Sequence, residues 1–108
     1  MIHFDFTALW KAPIAVSCPT EEDAELLFDF LRNETDVLWA NGASLSSTNW
    51  KGCESHTHYY FGSREIGLQY GSGAWGREYG SQFMSVHEFL DMYRVDQDVE
   101  CVDLTGLL

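Results

Sequence analysis

The stretch from Thr20 to Asn33 constrains the fold more than any other part of the chain, because it reads as one amphipathic helix. Thr20 is a good N-cap, since its hydroxyl can accept a hydrogen bond from an orphan amide of the first turn. Glu21, Glu22 and Asp23 then occupy the turn where the helix dipole favours negative charge. Ala24, Leu27, Phe28 and Leu31 follow at i, i+3, i+4 and i+7 and make a single apolar stripe. Asn33 ends the pattern. The rest of the chain must supply an apolar surface that buries this stripe.

That surface reads as a sheet. Ile2, Phe4 and Phe6 alternate with His3 and Asp5, the period of a half-buried strand. After Pro13, Ile14, Val16 and Cys18 alternate in the same way. Val37 to Ala40 forms a short strand closed by the Asn41-Gly42 turn signal. A Ser-rich polar connection with Trp50 follows at 43–56. Thr57–Phe61 and Glu65–Tyr70 read as strands joined at Gly62-Ser63, and Gly71 to Gly80 as a glycine-rich loop carrying Trp75 and Tyr79. Gln82–Ser85 is a further strand. Ser85-x-x-Glu88 is a capping box opening a second helix with Val86, Phe89, Leu90 and Tyr93 on one face. Val95 to Leu104 alternates again. The expected architecture is a single α+β domain over residues 1–108: a mainly antiparallel sheet of about five to seven short strands with two helices on one face.

Composition limits what such a domain does. A chain that is 45% hydrophobic and 15% aromatic can build a core and is not of the disordered acidic type. Its 17 acidic and 6 basic residues give a formal net charge of −11, beyond the magnitude of about 2–8 that keeps a small domain soluble. Lys11, Arg32, Lys51, Arg64, Arg77 and Arg94 are scattered singly, so direct phosphate binding to nucleic acid, or to an anionic membrane, is not expected. Cys18, Cys53 and Cys101 are widely spaced, and no basic leader or long apolar run occurs, which points to a cytoplasmic protein with reduced thiols.

Cys18-Pro19-Thr20-Glu21-Glu22-Asp23-Ala24, then Leu38-Trp39-Ala40-Asn41-Gly42, Trp50, the Tyr/Gly-rich hairpins and Ser85-Val86-His87-Glu88-Phe89 carry a resemblance. Over roughly residues 14–93 the chain resembles a loose group of short phage and prophage proteins, with a "CPTEEEA"-type helix start, a "W-x-x-G" strand end and a closing "S-x-x-E-F" helix. The shared motifs are caps and turns, and the group has no uniform activity. The resemblance implies an accessory phage product acting in the host bacterial cytoplasm, from a pool that includes anti-CRISPR inhibitors of bacterial defence.

Few constellations invite chemistry. Cys53-x-x-His56-x-His58 offers three of the ligands a zinc ion takes, with no evident fourth. No nucleophile signature such as G-x-S-x-G occurs, and Gly71-Ser72-Gly73 lacks the lysine and pattern of a phosphate loop. Trp10, Trp39 and Trp50 are expected at the core or its edge. The acidic residues are grouped: Glu21, Glu22, Asp23, Glu25 and Asp29 on the first helix, and Asp96, Asp98, Glu100 and Asp103 in the C-terminal segment. First-turn acids also serve the helix dipole and solubility, and that reading competes with recognition. The function expected is a non-enzymatic inhibitor that needs no cofactor. It would set these acids, with Trp75 and Tyr79 as aromatic anchors, against a basic nucleic-acid-binding surface of a host protein. The alternative is a small-molecule or metal-ion binder centred on Cys53, His56 and His58.

Overall fold

A computed structural model describes residues 2–62, 66–78 and 80–93. In chain order these form α1 (Phe6–Leu9), β1 (Ile14–Ser17), α2 (Glu21–Glu34), β2 (His58–Phe61), β3 (Gln69–Gly71), α3 (Gly73–Glu78), β4 (Gln82–Ser85) and a helix, α4, covering 86–93. Two single 3-10 turns, Trp50–Gly52 and Glu54–His56, interrupt the long connection between α2 and β2.

The class is α+β, and the sheet differs from expectation in two ways. Among the described residues it has four strands in the order β3-β2-β1-β4. It is also mixed, since β1 pairs antiparallel with β2 but parallel with β4. The N-terminal alternation yields no strand. Asp5 accepts a hydrogen bond from the Ala8 amide at 3.1 Å and so caps α1, and Ile2 makes only an isolated parallel bridge to Thr35. Local capping chemistry outweighs the period-2 pattern there. Val37–Ala40 likewise shrinks to one bridge, Trp39 to Leu68, because the chain turns at once: the Gly42 amide donates to the Trp39 carbonyl at 2.8 Å, with Gly42 at φ +85°. Residues 95–104, expected as a last strand, lie outside the described residues.

The pleat of β1 explains the layers. Ile14 and Val16 face one way, with Tyr59, Phe61 and Met84 beside them, and they share one hydrophobic cluster with Leu27, Phe28, Phe30 and Leu31 of α2 and Val86 and Phe89 of α4. Ala15 faces the other way, between Tyr60 of β2 and Phe83 of β4. Its small side chain leaves a trough between two rings, and α3 sits there. A Cβ on Gly76 would stand 2.7 Å from the Tyr60 ring and 2.9 Å from Phe83, so only glycine allows that approach. The Tyr60 hydroxyl accepts the Gly76 amide at 3.0 Å and donates to the Ser72 carbonyl. The glycine-rich segment is thus a short helix on the second face of the sheet, and the helices do not all share one face.

Both predicted helix starts form. The Asp23 amide donates to Thr20 Oγ1 at 3.1 Å. At α4 the Glu88 amide donates to Ser85 Oγ at 3.1 Å while the Ser85 amide donates to Glu88 Oε1 at 3.3 Å, a reciprocal capping box. Thr20→Ala is expected to lower the unfolding free energy by about 1 kcal/mol. Urea denaturation checks this, and an unchanged midpoint would contradict it.

Candidate partner-binding face

On α2 the apolar stripe is buried and the acids point outward. Ala24, Leu27, Phe28 and Leu31 are fully buried, whereas Glu21, Glu22, Glu25 and Asp29 are exposed and Asp23 is half-buried. Glu21, Glu25 and Asp29 are four residues apart, so their row advances about 6 Å per carboxylate along the helix. With Glu22 and Leu26 they line a shallow groove. Arg32 ends the row, its guanidinium 3.8 Å from both Glu25 and Asp29. It also donates from Nε to the Leu45 carbonyl at 2.5 Å and stands over the Phe28 ring at 5.5 Å, so it is tied to the scaffold. The row thus has its ion pairs at the Glu25–Asp29 end, and Lys51 lines the same cleft as Glu21 and Glu25.

Of the other residues that the sequence assigns to this surface, one falls among the described residues, and it is not brought to α2. Trp75 belongs to α3, on the opposite side of the sheet from α2. Tyr79, Asp96, Asp98, Glu100 and Asp103 lie outside the described residues.

Beside the acidic row is a cleft that the sequence did not single out. Glu21 and Glu25 form one wall of a space of about 490 Å³, and residues 46–52 form the other, with Tyr70 at its end. A second space of about 320 Å³ lies beyond Tyr70, lined by Trp39, Ala40, Asn41, Leu68 and Gln69. Asn49 and Tyr70 border both, so the two adjoin. The loop wall is held by core side chains. Trp50 Nε1 donates to the Cys18 carbonyl at 2.9 Å, the Tyr59 hydroxyl to the Thr48 carbonyl at 2.6 Å and Thr57 Oγ1 to the Trp50 carbonyl at 3.1 Å. Asn49 takes a left-handed conformation at φ 57°. Tyr70 lies over Gly52, where a Cβ would stand 3.1 Å from its ring, and meets Trp39 edge-on at 5.8 Å. Trp39 and Trp50 pack at the edge of the core as expected, while Trp10 is 42% exposed. The sequence shows only a Ser-rich polar connection at 43–56 here, because the walls of the cleft come from segments remote in sequence.

The metal reading finds no geometric support. Among the described residues no group of three or more His, Cys, Asp and Glu side chains could hold an ion. His58 starts β2 with its ring under α3, edge-on to Phe83 at 5.4 Å, and its Nδ1 is 2.9 Å from the His56 carbonyl oxygen. His56 is exposed at the end of a 3-10 turn. Cys18 is a core residue whose thiol is pushed well up by burial, chiefly, and by Asp23, so it stays protonated and inert.

A charge pair fastens the N-terminal segment elsewhere on the molecule. His3 Nδ1 stands 2.5 Å from Asp36 Oδ2, and the Phe4 amide donates to Asp36 Oδ1 at 3.3 Å. The hydrogen bond to Asp36 raises the His3 pKa above its ordinary 6.5, and the bond from His3 lowers that of Asp36 below 3.8. The histidine's contribution is complete below 6.5 and is lost as pH rises through its raised value. The aspartate's is complete above 3.8 and is lost as pH falls through its lowered value. The pair thus stabilises most between those limits. An NMR titration of the His3 ring should give a midpoint above 6.5 that falls in Asp36→Asn; equal midpoints would contradict the pairing.

Among the described residues no helix is long and apolar enough to cross a membrane. Comparison with protein-family models, with curated proteins and with solved structures finds no match.

Proposed function

We propose that this chain is a non-enzymatic binding protein that sets the outer side of α2 against a basic, nucleic-acid-binding surface of another protein and blocks it. The observation that carries this reading is the exposed row Glu21, Glu22, Glu25 and Asp29, in a chain of net charge −11. Its carboxylates advance by about 6 Å, whereas each strand of a duplex advances about 3.4 Å per charge. The likeness to nucleic acid is therefore one of field and not of register. Such a field steers encounter and screens out within a Debye length of about 10 Å at 0.1 M salt. The resemblance to phage accessory proteins favours a bacterial defence factor as partner, a CRISPR effector among them.

The test begins with capture from bacterial lysate and mass spectrometry, followed by kinetics on the captured protein. Association should slow by about tenfold or more between 50 and 300 mM salt. The variant Glu21→Gln, Glu22→Gln, Glu25→Gln, Asp29→Asn should slow it similarly at low salt while keeping its circular dichroism. Salt-insensitive association, or a folded variant that binds as the parent does, would refute the proposal.

A further inference from the structure

The hydrogen-bond parity of the sheet leaves one position open beside the acidic row. The Cys18 amide donates to the Thr57 carbonyl at 2.9 Å, and the β1–β2 register pairs Val16 with Tyr59. Because bonded pairs alternate along an antiparallel ladder, Tyr59 turns its N–H and C=O towards β1, and Tyr60 and His58 turn theirs towards β3. Tyr70, opposite Tyr59, is then a non-bonded pair whose backbone N–H and C=O point away from β2. Leu68, two residues earlier, confirms the parity: its outward amide donates to the Leu38 carbonyl at 2.8 Å, and its carbonyl accepts the Ala40 amide at 2.9 Å. The chain that makes this parallel bridge turns away at Asn41-Gly42. Among the described residues, no hydrogen bond takes up the Tyr70 edge.

The space in front of that edge is the cleft. Trp39, Ala40 and Asn41 close one end, Asn49 flanks it, and past Tyr70 it opens between Glu21, Glu25 and the 46–52 loop. We propose that the Tyr70 edge receives an extended segment of the partner protein as an added parallel or antiparallel strand, with a basic side chain of that segment between Tyr70, Glu21 and Glu25. β3 has only three residues, so the added strand is short and bonds mainly to the Tyr70 N–H and C=O. Asn41 and Asn49 border the space, and with their Oδ1 atoms held by Ala43 and Ser47 they offer side-chain NH2 groups to the rest of its backbone. Charge selects the occupant. A second copy of this chain, at net −11, is repelled. A basic segment is attracted, and its cation meets the face of an exposed ring as well as two carboxylates. This inference rests on the proposed basic partner, and the test separates the two.

Three synthetic peptides are titrated into the full-length, 15N-labelled chain: Thr-Arg-Val-Arg-Val-Arg-Thr with blocked ends, the same peptide with its central Arg replaced by Pro and the lost charge restored at one end, and a version with every Arg replaced by Gln. The expected result is saturable binding of the first peptide, with shifts and slowed hydrogen exchange at the Tyr70 amide. The Pro peptide should bind about tenfold or more weakly, because it lacks one ladder donor. The Gln peptide should be weaker by a similar factor. Equal binding of the Pro peptide would overturn strand addition and leave the acidic face standing. A Gln peptide as tight as the first would overturn the basic seat, and the acidic reading with it. No binding of the first peptide at millimolar concentration, or self-association of the chain through this edge, would overturn the inference outright.

Discussion

Phe89→Ala is expected to lower the unfolding free energy by about 3–5 kcal/mol, the range for truncating a buried aromatic in a core that cannot collapse around the gap. The ring is fully buried, and it stacks on Phe61 at 4.9 Å, meets Tyr93 at 4.7 Å, and lies 6.2 Å from Phe4 and 6.1 Å from Phe30. It therefore joins α4 to β2, to the N-terminal segment and to α2 at one point. Small domains have only about 5–15 kcal/mol in total, so this substitution removes a large share. Urea unfolding should show a lower midpoint with an unchanged slope. A loss below about 1 kcal/mol would mean that α4 is not docked on the sheet as described.

Gly62→Ala carries the other large expected effect, through two separate causes. Gly62 has φ +95°, a backbone that an L side chain occupies at a cost of about 1–2 kcal/mol. An added Cβ would also stand 2.4 Å from the Leu9 carbonyl oxygen, which is backbone and cannot rotate aside. The end of α1 would have to leave the end of β2, for a combined loss of about 3 kcal/mol or more and a fall in Tm of roughly 10–20 °C. Gly42→Ala is the control. It shares a positive φ of +85° but meets nothing within 4 Å, so it should lose only the backbone part. Equal losses at the two sites would show that the Leu9 contact contributes nothing.

These two sites differ in how far the sequence discloses them. The stripe at Ala24, Leu27, Phe28 and Leu31 and the boxes at Thr20 and Ser85 are local, and both helix starts form where their capping residues stand. Phe89 could be assigned to a buried face for the same reason. Gly62 is legible only as part of a turn, because the Leu9 contact that adds to its positive φ comes from far away in sequence. The Ile2, Phe4, Phe6 alternation misled because both rings reach the core from a segment that Asp5 turns into α1. The parallel pairing of β1 with β4 is non-local and leaves no trace in either strand. The candidate site divides in the same way. The acidic row follows from helix periodicity, while the Tyr70 edge needs the register of three strands before it can be recognised.

Competition tests the proposed function most directly. The captured partner is bound to a fluorescent nucleic acid of the kind it recognises, and the full-length protein is added at 100 mM salt. Blocking of a basic surface predicts that the nucleic acid is displaced completely. It also predicts that the Glu21→Gln, Glu22→Gln, Glu25→Gln, Asp29→Asn variant needs about tenfold or more protein to do so. A stable ternary complex, with the nucleic acid still bound at saturating protein, would contradict it.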